Sequence, residues 1–478
     1  MPRRSKHEFF DLIEMKLGAK EYTRRLNYGR GHHQFNPALK SLRSEPFDWQ
    51  NLAGVAIIRA SLENVAKLRQ LLTPGAIFPI TGGEIEAPSW ETTMQGVLES
   101  LNKGLDAQLK QLDERVARHA RSYQCRCANR IFFRNTLCLA CKSPLGYLPD
   151  EGRLVALDAG PTPGTWRTDG SDHALKFCAN RDSPAICNWM TGADDSSEYC
   201  IACRLNRTIP NLNDADNARY WAKLEIAKRR LVSELVKFGL PVKSKVDEDP
   251  ERGLMFDFLR SLPGEPRVMT GHSSGLITIN VEEADDAKRE QVKYEMREPY
   301  RALIGHFRHE VGHYYWDRLV WNTRWLEPFR QLFGDERASY SDACQRHYKQ
   351  GAPADWANSY VSSYATMHPW EDWAETWAHY LHVVDSLGTA MGFGIDAVNL
   401  QCDIEPFSRD ALYDPDDPQA DRLLSLLNAW IEIVMVLNEM ARSMGQPDFY
   451  PFVMCKPVVK KLHFIHMIVA DARTKLDL

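Results

Sequence analysis

Apolar positions along the 478-residue chain recur mostly with helical spacing and only briefly with the alternation of a strand. They mark helices at 56–72 and 91–120, with 74–88 between them as a loop or short hairpin, while 1–45 shows only a short helical pattern near 9–17. Asn213-Asp214-Ala215-Asp216 starts a helix of about 25 residues that stops near Gly239-Leu240-Pro241. The charged stretch 243–253, broken by Pro250, reads as a hinge after that connector. Gly275-Leu276-Ile277-Thr278-Ile279-Asn280-Val281 alternates in the manner of a strand. From 284 to 320 the pattern turns helical, and 369–387, 419–445 and 457–474 are further helices. This is an α+β pattern, predominantly α, with a small mixed sheet.

Composition narrows the class. Apolar residues make up 44% and charged residues 26%, values of an ordinary globular protein, which argues against disorder throughout and against a coiled-coil rod. The length suits two to three domains. The strongest apolar stretch, 430–437, is short and contains Glu432, so no transmembrane helix is expected. Phe9-Phe10 is followed at once by Asp11 and Glu14, which does not make a signal peptide, and the expected location is the cytoplasm with no membrane partner. A net charge of -5 gives no general reason to bind nucleic acid.

Eight of the eleven cysteines lie between 125 and 203, in two groups: Cys125, Cys127, Cys138 and Cys141, then Cys178, Cys187, Cys200 and Cys203. Without a secretion signal this grouping favours metal over disulfides, and four thiolates per group suit two closed structural zinc sites. Eight buried free thiols are the alternative. Each metal could contribute on the order of 10 kcal/mol to a lobe whose apolar residues, such as Ile131, Phe132 and Phe133, are few. Residues 121–210 carry eleven Lys/Arg against nine Asp/Glu, so nucleic acid is not the expected partner of these lobes. A docking surface or scaffold is.

His309-Glu310-Val311-Gly312-His313 places two imidazoles one helical turn apart with a carboxylate between them. Two such histidines can hold one zinc while Glu310 acts as general base toward a water activated by the metal, then protonates the leaving amine. A solvated helix face with two incidental histidines is the alternative, and context decides. The third ligand is sought in Glu371-Asp372-Trp373-Ala374-Glu375, which follows Pro369 at a helix start. Glu371 and Glu375 share one face, so Glu371 is the expected ligand and Glu375 the group that hydrogen-bonds one. Asp317, four residues beyond His313, either orients an imidazole or is a surface charge. Tyr364 either donates to a developing oxyanion or is a core tyrosine.

His306, His272, His379 and His382 are weaker metal candidates, and His32 and His33 fit a solvent-facing loop pair. Seven of the thirteen tryptophans fall between Trp316 and Trp377, a density that suggests helix packing around the site, or else an apolar substrate pocket.

From about Tyr123 to Thr474 the chain resembles the zinc-binding metallopeptidases that carry an N-terminal zinc-ribbon region. The resemblance rests on Phe132-Phe133-Arg134-Asn135-Thr136, on Cys203-Arg204-Leu205-Asn206-Arg207-Thr208-Ile209-Pro210, on Gly305-His306-Phe307-Arg308-His309 through Asp317, and on Pro369-Trp370-Glu371 through Trp377. It implies a gluzincin-type zincin, a zinc metalloprotease (hydrolase), with His309, His313 and Glu371 on one catalytic zinc and Glu310 as base. The spacing of Asp317, Tyr364 and Glu-x-x-Ala-Glu is similar, more distantly, to the lethal-factor class of toxin metallopeptidases, which favours roles for Tyr364 and Asp317. That similarity also implies that 275–281 is the edge strand along which an extended substrate pairs. One departure is Cys125-x-Cys127, where the family's knuckle has two residues between cysteines.

The expected organisation is a mainly helical region 1–120, a double zinc-ribbon module 121–210, a connector and hinge 211–255, and a zincin-like metallopeptidase domain 256–478. The expected cofactors are one catalytic and two structural zinc ions, and the expected partner is a protein or peptide substrate. A further protein partner could use the N-terminal region or the ribbons. The rival readings are a non-catalytic regulatory protein on the same scaffold and a nucleic-acid-associated regulator acting through the ribbons.

Overall fold

The computed structural model describes residues 122–476 apart from 263, 297–299, 396, 398, 399, 401 and 403. The helices expected at 56–72 and 91–120, and His32 and His33, lie outside the described residues.

Two small antiparallel sheets come first. Strands β1 (Ser122–Gln124) and β2 (Arg130–Phe132) pair, and β3 (Leu145–Leu148), β4 (Arg153–Ala159), β5 (Trp166–Thr168), β6 (Leu175–Phe177) and β7 (Met190–Gly192) form a five-stranded meander in that order. Their core is richer than the sequence suggested. Tyr147 and Trp189 are fully buried with ring centroids 4.8 Å apart, and Phe133 packs edge-on to Tyr147 at the same distance. The buried Asn188 amide donates to Phe133 O and Asn135 O, tying the two cysteine groups together.

The third sheet has the order β10-β11-β9-β8, built from β8 (Asn206–Thr208), β9 (Met255–Leu259), β10 (Gly271–Ser273) and β11 (Leu276–Asn280). Strands β8, β9 and β11 are mutually parallel and β10 runs antiparallel to β11. The strand expected at 275–281 is therefore present, but it lies inside the sheet. The edge is β10, because the Ser274-Gly275 turn, with both φ positive at 50° and 83°, folds the chain back on itself.

Helix α1 (Ala215–Lys237), capped by the Asp214 carboxylate on Asp216 N and Asn217 N, was expected to be a connector. It lies instead in the core, with Trp221, Leu224, Leu231, Val232 and Leu235 buried, because it packs on the helix that carries the two histidines and on the turn 281–284, while Lys228 lies over the β9 rings of Phe256 and Phe258. Stretch 243–253 is not an open hinge. Lys245 N bonds Leu254 O, Ser244 Oγ donates to Arg204 O, and Tyr314 OH and Arg318 donate to Arg252 O.

Among the described residues seven α-helices lie beyond the sheet's last strand: α2 (Asp286–Met296), α3 (Leu303–Leu319), α4 (Leu326–Phe333), α5 (Tyr340–Gln350), α6 (Pro369–Gly392), α7 (Ala420–Ser443) and α8 (Lys456–Leu476). Helices α3 and α6 make the closest pair, possible because position 312 is glycine: a Cβ there would meet Ala374 Cα at 3.0 Å. Trp373 donates to Gly312 O at 2.8 Å and Trp377 stacks on Tyr315. The buried Arg308 guanidinium joins three helices through Glu234 of α1 and Asp385 of α6, with His382 accepting alongside. The stretch 430–437 belongs to a longer apolar one. Helix α7 contains a window of mean hydropathy 1.5, long and apolar enough by composition to cross a membrane, and here Leu423, Leu424, Leu427, Trp430, Ile433 and Val434 face the core.

Candidate active site

Helix α3 presents His309, Glu310 and His313 toward α6, whose first turn holds Pro369 and is capped by His368 Nδ1 accepting from Trp370 N. Glu371 and Glu375 follow one turn apart on α6 and reach the two imidazoles from across the helix pair. Asp372 points elsewhere, into a buried ion pair with Lys461 at 2.6 Å.

The donor atoms of His309, His313 and Glu371 converge within 4.8 Å of one another. His309 Nε2 lies 3.0 Å from Glu371 Oε2 and 3.2 Å from His313 Nε2, and His313 Nε2 lies 3.5 Å from Glu371 Oε1. His309 Nδ1 bonds Glu375 Oε1 at 2.7 Å, and Ser362 Oγ donates to the other Glu375 oxygen at 2.6 Å. With the Nδ1 proton given to Glu375, His309 Nε2 offers a lone pair toward a carboxylate oxygen that is buried and accepts no hydrogen bond. Acceptors that face one another at such distances require positive charge between them. The same demand is visible in protonation: burial works against a charged His309, yet Glu371 and Glu375 hold its pKa well above the ordinary value. Burial likewise opposes a charged Glu371, yet His313 and His309 hold its carboxyl well below the usual range. Two imidazoles and one carboxylate are the donor set of a zinc site that keeps a position open, and these residues fit that ion.

A cleft of about 480 Å³ opens over this centre. Glu310 lines it; burial raises its carboxyl against the pull of His309 and His313, and no described residue donates a hydrogen bond to it. Tyr364 stands 5.9 Å from the His309 ring, centroid to centroid. Asp317 is exposed on the cleft wall and bonds neither imidazole among the described residues. What lies against His313 is the His272 ring, parallel within 13° at 6.2 Å. His306 is held away from the metal-ligand atoms by Glu283, which also accepts from Thr270 Oγ1. His379 bonds Tyr450. The tryptophans divide: Trp373 and Trp377 are fully buried, whereas Trp316 and Trp370 line the cleft.

One residue of the site escapes sequence reasoning. Tyr340, at the start of α5, lines the cleft and donates to Glu371 Oε1 at 2.9 Å, while Oε2 faces His309 Nε2. A tyrosine 31 positions from its partner on another helix has no spacing signal.

Both cysteine groups close up. Cys125, Cys127, Cys138 and Cys141 bring their sulfurs within 4.8 Å, with Cys125–Cys141 at 3.7 Å and Cys127–Cys138 at 3.6 Å. The short Cys125-x-Cys127 knuckle is accommodated by Ala128 at φ 65°, whose N–H bonds Cys125 O. Burial pushes the Cys125 thiol up to about 12, while hydrogen bonding at Ser143 brings Cys141 down to about 6. The second group, Cys178, Cys187, Cys200 and Cys203, is buried throughout and sits against α1. Burial works against the charge of Arg229 there, yet Cys187, Glu225, Cys203 and Cys200 hold its proton more firmly than usual. Arg229 is thus a buried positive group facing this cysteine cluster.

Two thiolate quartets ahead of a His-His-Glu centre define a zinc-ribbon module joined to a zinc-binding lobe. Residues 217–468 match the family described as "Putative zinc-binding metallo-peptidase", and residues 122–214 match a zinc-ribbon domain. The chain is 41% identical over 353 residues to uncharacterized proteins of Mycobacterium tuberculosis (strains H37Rv and CDC 1551) and of Mycobacterium bovis, a match that covers 73% of this chain and 96% of each relative. The chain belongs to this zinc-binding metallopeptidase family. The family match begins at 217, so all but the first two residues of α1 fall within it. No solved structure matches the chain.

Proposed function

We propose that this protein is a zinc-dependent endopeptidase of the gluzincin type, with a zincin-like catalytic lobe. The observation that carries this reading is the buried carboxylate of Glu310, without a hydrogen-bond donor among the described residues, beside a three-ligand centre that opens on a cleft. His309, His313 and Glu371 hold the zinc, and Glu375 and Tyr340 fix the orientation of two of them. Held by these three residues, a zinc ion would supply Lewis acidity toward water and the peptide carbonyl. Glu310 takes the proton released when water attacks the peptide carbonyl and returns it to the leaving nitrogen, a role its raised pKa suits. Tyr364 donates to the carbonyl oxygen as it gains charge. Strand β10, at the edge of the sheet and on the cleft wall, offers its backbone to an extended peptide. Each ribbon holds one structural zinc.

Replacing Glu310 by Gln tests the reading. Peptide-mixture hydrolysis followed by mass spectrometry should fall by about 10²–10⁴-fold with zinc content and melting temperature retained. Wild-type protein that carries three zinc ions and leaves every peptide intact would sink it.

A further inference from the structure

Strand β10 contributes a side chain to the cleft that the hydrolytic scheme above does not use. His272 lies in the middle of β10, opposite Ile277 of β11, and its ring is parallel to that of the ligand His313. Its Nε2 accepts the Gly275 N–H of the adjoining turn at 3.0 Å. That turn is forced to approach closely: Gly275 sits at φ 83°, and a Cβ there would meet Gly253 O at 2.3 Å. An imidazole nitrogen that accepts from a backbone N–H carries no proton, so the ring is neutral and its proton is on Nδ1. Among the described residues Nδ1 has no hydrogen-bond partner, and it is not a buried orphan, while the residue lines the cleft. The result is a fixed N–H donor, anchored through the back of its own ring, on the strand beside which a peptide would lie.

We propose that His272 contacts the substrate, its Nδ1–H donating to a main-chain carbonyl oxygen of the peptide that occupies the cleft along β10. This rests on the peptidase reading for the class of ligand, a peptide, but concerns binding and not the chemical step. The donor is uncharged, so it selects for a carbonyl oxygen without attracting acidic side chains. It stands on the sheet wall of the cleft, whereas Tyr364 belongs to the segment that precedes α6. A carbonyl held from β10 keeps the peptide in register while the scissile carbonyl is left for the metal centre and Tyr364.

The test compares His272→Phe, which keeps an aromatic ring against His313 but removes the donor, with His272→Asn, which restores an N–H near the Nδ1 position. Two zinc-directed probes are titrated into the zinc-loaded full chain: acetohydroxamate, which engages the metal alone, and a tripeptide hydroxamate, which adds a backbone. The expected result is a loss of about tenfold in affinity for the tripeptide hydroxamate in His272→Phe, recovered largely in His272→Asn, with acetohydroxamate affinity and zinc content unchanged in both. Equal weakening of both probes would overturn the proposal, because His272 would then serve the metal through His313. Unchanged tripeptide affinity in His272→Phe would overturn it as well. The peptidase reading fails separately: wild type that binds the tripeptide hydroxamate with this His272 dependence, yet hydrolyses no peptide, leaves the contact standing and removes the enzyme.

Discussion

The second ribbon site and the His-His-Glu centre are both metal-ligand clusters packed against helices, and they are built to opposite ends. Cys178, Cys187, Cys200 and Cys203 are all buried, four donors on all sides, with Arg229 as the positive group beside them. His309 and His313 are only half-buried, Glu371 is buried behind them, and the remaining side faces the cleft. A closed quartet of thiolates can only hold structure together, whereas three ligands and an open side can admit a reactant. The difference lies less in the metal than in what the fold leaves beside it.

The comparison breaks first at the ribbons. Cys200→Ser should remove metal-coupled folding free energy on the order of 10 kcal/mol and leave the module through 208 without hydrogen-exchange protection. A variant that keeps its protection and melts with the wild type would show that the quartets are ordinary buried thiols.

The next effect is in acid. Burial raises the Glu283 carboxyl, but the His306 charge outweighs it and the folded value falls to about 2, below the ordinary 4.5. A depressed carboxyl contributes stability that is present above pH 4.5 and lost as pH falls toward 2, here about 3 kcal/mol. Glu283→Gln should therefore flatten the stability profile between those values, and an acid limb identical to wild type would contradict the pairing.

Two smaller changes sharpen the contrast by touching the open centre alone. Glu375→Gln should weaken zinc binding there by about 10–100-fold and leave the ribbon metals in place, as competition with a chelator would read. Tyr340→Phe removes one hydrogen bond to the ligand carboxylate and should weaken the same site by about tenfold. Loss of ribbon zinc in either variant would mean that the two kinds of site are not independent.

What could be read along the chain was whatever a single turn or helix contains. The spacing of His309 and His313, the shared face of Glu371 and Glu375, the start of α6 at Pro369 and the cysteine knuckles are local, because helix periodicity and tight turns set which side chains are neighbours within a few residues. The same logic failed where it extrapolated from one helix to its surroundings. Asp317 is one turn beyond His313 but hydrogen-bonds neither imidazole among the described residues, and the helix taken for a connector became part of the core.

By itself, then, the sequence brought out the two cysteine groups, the candidate trio His309, His313 and Glu371, the order of ribbon and helical lobe, and most helix positions. The tertiary structure alone decided that β10 and not β11 is the edge, that Tyr340 holds Glu371, that His272 lies on His313, and that Arg229 stands beside the second cysteine group. Those partners lie tens of residues apart on different elements, and the packing of α3 on α6 across Gly312, and of α1 on α3, brings such distant elements together. Local periodicity carries no information about such pairings, because they depend on the sum of many distant contacts.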